Sequence, residues 1–103
     1  MKPKREIVYT HQAFNSLNES LNLLKDKVNV QKIKEIRKQI LDKVEILATH
    51  PESGQIEEFL LELNQGHRRI IYTHYKIIYL SAKDKIIITD IFDTRQDPNK
   101  MKA

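Results

Sequence analysis

Downstream of Gly66 the chain carries three β-rich runs in immediate succession, and no other feature constrains its fold as much. They are Arg69-Ile70-Ile71-Tyr72, Tyr75-Lys76-Ile77-Ile78-Tyr79-Leu80 and Ile86-Ile87-Ile88-Thr89-Asp90-Ile91-Phe92, rich in the β-branched and aromatic residues that suit a pleated surface. Their connections, Thr73-His74 and Ala82-Lys83-Asp84-Lys85, are too short for the crossover that parallel neighbours require, so the three strands predict an antiparallel meander. Thr73-His74 lacks the Gly or Asn that a two-residue hairpin turn favours. An even-numbered loop there still opposes Ile71 to Lys76 and Arg69 to Ile78. That register places His67, Arg69 and Ile71 on the same face as Lys76, Ile78 and Leu80.

Upstream, the hydrophobic period changes. Glu6 to Tyr9 reads as a short strand, and Thr10 suits the N-cap of a following helix. Phe14, Leu17, Leu21, Leu24 and Val28 recur at intervals of three and four, the stripe of an amphipathic helix. Val30, Ile33, Ile36 or Arg37, Ile40, Val44 and Leu47 form a second stripe, with a back rich in Lys. Pro51 disfavours helical geometry at His50, so this helix is expected to stop near Thr49. The break at Asp26-Lys27-Val28-Asn29 predicts an antiparallel helical hairpin. Residues 51–63 hold Glu52, Glu57, Glu58 and Glu62 and no Lys or Arg, which suggests that they line the basic helix. Within them Phe59, Leu60, Leu61 and Leu63 fit either a buried strand or a helical turn. The polar segment from Arg95 to Ala103 reads as frayed. The sum is one α+β domain over residues 1–103, ordered β-α-α-β-β-β, with the strands in one sheet.

Residue types narrow the function. Without cysteine the chain offers no thiolate nucleophile, disulfide, zinc knuckle or iron–sulfur ligation. With only Gly54 and Gly66 it can write neither a P-loop nor a dinucleotide-binding glycine loop, so no cofactor is expected. His11, His50, His67 and His74 have no close ligand spacing, and Asp90, Asp93 and Asp97 are too dispersed for a metal loop, so no metal is expected. The apolar run Ile7-Val8-Tyr9 is too short for a signal peptide or membrane span, which points to a cytoplasmic protein with no membrane partner. The net charge of +4 favours anionic partners.

The strongest chemical feature is the cationic face of the first hairpin. His67, Arg69 and Lys76 within diagonal reach would form an anion site, and Arg95 beyond the third strand would add a guanidinium suited to phosphate or carboxylate. The competing reading is that these cations are solvated or paired with neighbouring carboxylates. Tyr72, Tyr75 and Tyr79 suit either base stacking or core packing. Residues 25–43, with seven Lys or Arg against three acids, suit either nucleic acid or the solvated side of an amphipath.

Several landmarks recur in one order: Ile7-Val8-Tyr9-Thr10, Ala13, His50-Pro51-Glu52-Ser53-Gly54, Gly66-His67-Arg68-Arg69, Tyr75-Lys76-Ile77-Ile78-Tyr79 and Ile91-Phe92-Asp93-Thr94-Arg95-Gln96-Asp97-Pro98. Together they resemble the RelE/ParE toxins. The resemblance implies the toxin of a type II toxin–antitoxin, plasmid-stabilisation pair, which arrests growth and is neutralised by a cognate antitoxin wrapped over its surface. ParE-like members poison DNA gyrase. RelE-like members are metal-independent endoribonucleases that cut mRNA in the ribosomal A site, where cations orient the 2′-hydroxyl and stabilise the charged phosphorane. On that template the catalytic positions fall on His67, Arg69, Lys76 and Arg95, with His67 moving a proton. The C-terminal aromatic of the ribonucleases is missing, because Met101 stands about where a catalytic tyrosine would be, and no histidine follows the last strand. Tyr-Lys-Ile-Ile-Tyr and Phe-Asp-Thr-Arg-Gln-Asp-Pro are closer in texture to ParE-like members. Inhibition of DNA gyrase is therefore the leading expectation and ribosome-dependent cleavage of mRNA the alternative.

Overall fold

A computed structural model describes residues 4–103; Met1-Lys2-Pro3 lies outside them. Strand β1 spans Glu6–Tyr9, and helices α1 and α2 span His11–Asn22 and Val30–Ile46. The short β2, Gln55–Ile56, leads through a 3-10 helix at Glu58–Leu63 to β3 at Arg68–Tyr72, β4 at Tyr75–Ser81 and β5 at Lys85–Asp93. The α+β class and the strand–helix–helix–strand order agree with the sequence reading. The sheet goes beyond the expected meander: its order is β1-β5-β4-β3-β2, with β1 parallel to β5 and the other pairs antiparallel.

Both helices begin where a side chain can satisfy a free amide. Thr10 accepts from the Ala13 N–H across an extended backbone, and Tyr9 before it stacks on Phe14 at 4.9 Å between centroids, a hydrophobic staple. Asn29 caps α2 by accepting from the Lys32 N–H at 2.8 Å. Helix α1 is shorter than its stripe. After Asn22 the amides of Leu24 and Lys25 reach back only three residues, to Leu21 and Asn22, so Leu24 and Val28 lie in the turn.

The β3–β4 register is the expected one, Arg69 opposite Ile78 and Ile71 opposite Lys76, with Thr73 taking the positive φ of 52° that a glycine would take more easily. Period-two alternation then divides the sheet. Tyr75, Ile77 and Tyr79 of β4 join Ile86, Ile88 and Ile91 of β5 in a core closed by Ala13, Leu17 and Leu21 of α1 and Ile40, Val44 and Leu47 of α2. On the opposite face Ile78 and Phe92 form a smaller cluster with Leu60 and Met101. A bulge shifts β5 by one residue, so that Ile78 faces Asp90 while Tyr79 faces Ile88.

Two expectations are corrected and one alternative is decided. Residues 51–63 do not line α2: Glu52 pairs with Arg68, and Glu57 and Glu58 pair with Arg69, because β2 is docked on the sheet edge. Of the two alternatives for the leucine-rich run the helical one holds: it is a six-residue 3-10 helix, ended by Asn64 in the left-handed region. The C-terminal segment is not frayed. Met101 is buried, the Lys102 N–H donates to Asp90 Oδ2 at 3.0 Å, and Gln12 Nε2 donates to both Thr89 O and Ala103 O at 2.8 Å.

The turn that leads into β2 hangs on one hydroxyl. Tyr79 Oη donates to Pro51 O at 2.8 Å and accepts from the Gly54 N–H at 3.0 Å, both within the core. A Cβ on Gly54 would lie 2.5 Å from that hydroxyl, 2.7 Å from the Tyr79 ring and 2.7 Å from the Arg69 carbonyl. Gly54→Ala is therefore expected to lower stability by about 1–3 kcal/mol, as overpacking does. Adding Tyr79→Phe should not restore it, since ring and carbonyl stay; urea unfolding of both variants measures this.

Candidate functional site

Register and burial carry the site upward from the β3–β4 hairpin. Arg69 and Lys76 project on the face away from the helices and converge on Glu57, the residue that joins β2 to the 3-10 helix. Lys76 Nζ lies 2.9 Å from Glu57 Oε1, off line for a hydrogen bond but close for an ion pair, and Arg69 Nη1 lies 3.6 Å from the same oxygen. Glu57 is fully buried, and Arg69 and Lys76 side chains are only 13% and 16% exposed. The other carboxylate oxygen accepts from the Phe59 N–H at 3.0 Å.

Each cation has further partners. Arg69 donates to Ile56 O at 2.6 Å and Gln55 Oε1 at 3.2 Å and pairs with the exposed Glu58 at 3.6 Å. Lys76 Nζ sits 5.1 Å from the centre of the Phe59 ring, a cation–π contact. The electrostatic result is a closed cluster: two partly desolvated cations around one desolvated carboxylate, which attract strongly because little water lies between them.

His67 enters β3 beside this cluster and is buried, with neither ring nitrogen hydrogen-bonded to any of the described residues. Burial alone lowers its pKa below the ordinary 6.5, so the ring is neutral at pH 7. Arg95 lies elsewhere. Its guanidinium grips Asp93, with Nε 3.0 Å from Oδ1 and Nη2 2.7 Å from Oδ2, and Asp93 faces Tyr75 on the helix side of the sheet. Burial acts to raise the Asp93 pKa, but the hydrogen bonds and charge of Arg95 outweigh it and hold the carboxyl below 3.8. The hairpin thus brings together His67, Arg69 and Lys76, while Arg95 has its described contacts with Asp93.

Tyr75 and Tyr79 are core residues, and burial raises the pKa of each. Tyr9, half-buried beside Glu45, is pushed up to about 12, chiefly by burial. The residue that the sequence reading missed is Glu57. Its signal was present in the acidic run of 51–63, which balances the basic strands rather than α2.

A family model for the ParE toxin of the type II toxin–antitoxin system parDE matches residues 7–98. The chain belongs to the ParE toxin family. Among solved structures, a chain from the chromosomal ParDE TA system from P. aeruginosa superposes with a TM-score of 0.75 at 14% identity, covering 89% of this chain and 98% of that one. At that identity the likeness is one of fold. No curated protein matches the sequence significantly. No helix among the described residues of this ParE-family chain is long and apolar enough to cross a membrane. Met101, which the sequence reading set about where the ribonucleases would carry a tyrosine, packs on Leu60, Ile78 and Phe92.

Two outcomes test the cluster in this ParE-family fold. Glu57→Ala leaves two largely buried cations without their shared counter-charge and should cost about 3–5 kcal/mol in urea unfolding. Adding Lys76→Met should restore part of that loss, because one uncompensated charge goes with it. For His67 the folded pKa is lowered, so the unfolded chain binds the proton more readily. Its contribution to stability is complete above pH 6.5 and is lost as pH falls below that value. His67→Gln should flatten this part of the stability–pH curve.

Proposed function

We propose that this chain is the toxin of a type II toxin–antitoxin pair and that it arrests growth by ParE-like inhibition of DNA gyrase through protein contact, with no bond chemistry of its own. Family membership supports the toxin role. One observation carries the choice of mechanism: the two cations best placed to hold a scissile phosphate are already committed to the buried carboxylate of Glu57. A metal-independent ribonuclease needs cations free to take up charge as the phosphorane forms. Here the phosphate would have to displace Glu57 from Lys76 and Arg69. His67, the proton carrier on the ribonuclease template, is buried, and Arg95 is held by Asp93. The same reading gives the chain a cognate antitoxin, a cytoplasmic site of action and a role in plasmid stabilisation.

Expression from a tightly controlled promoter, with DNA breaks and transcript ends profiled together, tests it. Gyrase poisoning leaves cleaved DNA and an SOS response, and purified gyrase mixed with the toxin should accumulate cleaved DNA. A-site cuts in mRNA with intact DNA would overturn the proposal in favour of ribosome-dependent cleavage. At the residue level, Glu57→Leu/Lys76→Met removes the central cation without leaving an orphan carboxylate. Growth arrest should persist in that variant and in Arg95→Ala, whereas a nuclease using those cations would lose about 100-fold or more of its rate. Circular dichroism checks that both variants fold.

A further inference from the structure

The 3-10 helix at Glu58–Leu63 has an unusual surface. Of the exposed large apolar side chains, Ile56, Phe59, Leu61 and Leu63 fall within residues 56–63. A 3-10 helix repeats every three residues, so its side chains stack in rows i, i+3. One row starts at Leu60, buried against Ile78, Phe92 and Met101. The two outward rows each pair one apolar with one acidic residue, Phe59 with Glu62 and Glu58 with Leu61. Phe59 and Leu61 are each 58% exposed.

Charge is layered in the same place. The cations lie inside, with Arg69 and Lys76 drawn onto buried Glu57, while the Glu52 and Glu58 side chains stand outside at 76% exposure. The outermost layer is therefore negative on a chain of net charge +4. Beside it a recess of about 200 Å³ lies between Ile56, Leu60 and Leu61, with His67 and its unpaired ring nitrogens in the lining. Strand addition is not the way in, because Arg68 and Arg69 already occupy the Gly54 and Ile56 carbonyls of the β2 edge.

We propose that this acidic–apolar surface docks a basic, apolar-anchored helical segment of a protein partner: Phe59 and Leu61 supply the contact area, the recess takes one apolar side chain, and Glu58 and Glu62 select for Lys or Arg. An exposed apolar cluster rimmed by charge is the mark of an interaction site, and the rim sets which partner is accepted. The inference goes beyond the gyrase reading and does not rest on it.

The test adds a synthetic Leu–Lys helical peptide to the isotope-labelled full chain, with Leu–Glu and Ser–Lys peptides of equal length as controls. The Leu–Lys peptide should shift the amide signals of residues 56–63 and bind about tenfold or more tightly than either control, a difference of about 1.4 kcal/mol. Phe59→Ser/Leu61→Ser and Glu58→Lys/Glu62→Lys should each abolish that preference. If the serine variant fails to fold, the charge-reversed one, altered only at exposed side chains, decides. Equal binding of all three peptides, or shifts confined to other surfaces, would overturn the proposal. So would sedimentation showing that the chain associates with itself through Phe59, which would make a second copy the occupant. Growth arrest is not a readout, so failure of the gyrase reading leaves the result intact.

Discussion

A single buried carboxylate holds the open side of this molecule together. Glu57 has no solvent contact, yet it carries a charge-bearing group into a face of the sheet whose buried apolar cluster is the small one of Leu60, Ile78, Phe92 and Met101. Such a group is tolerated only when opposite charge comes with it. Lys76 and Arg69 supply that charge from two neighbouring strands, and the register of the hairpin is what brings them to one oxygen. The ion cluster thereby ties β2, the 3-10 helix and the hairpin into one unit.

The two faces of the sheet are stabilised by different physics. On one side the helices close a core of isoleucines, leucines and two tyrosines, where area removed from water dominates. On the other, a short 3-10 helix and the C-terminal segment offer less apolar area, and directional contacts do more. Tyr79 links the two: its ring belongs to the helix-side core, and its hydroxyl fixes the Pro51–Gly54 turn from which the polar side is built. This division explains why Arg95 does not join Arg69 and Lys76. Asp93 lies opposite Tyr75 on the helix side, and a guanidinium two residues later finds that carboxylate first.

Much of this fold was legible in the residues, for reasons that can be named. Two short loops in a row leave strands 68–93 no arrangement but an antiparallel meander, and Thr10 and Pro51 mark helix limits through capping and steric exclusion. What escaped was non-local. Nothing near Glu6 states that its strand will lie parallel to β5, and two residues, Gln55 and Ile56, are too few for a periodic signal. The cations of the hairpin were readable as a group, but their counter-ion was not, because Glu57 reaches them across a turn defined only in three dimensions. The C-terminal segment looked polar and loose since its anchors, Met101 and the Lys102 amide, are a single apolar side chain and a backbone group.

The parallel pairing of β1 with β5 ties the first strand to the last. The threonine that starts α1 is hydrogen-bonded to the carbonyl of Ile88, 78 residues further along, so among the described residues the first strand finds its sheet partner only in the last one. Ordering that depends on so distant a segment is slow compared with local helix formation. Weakening β5 therefore loosens β1 and the start of α1 as well, 78 residues upstream.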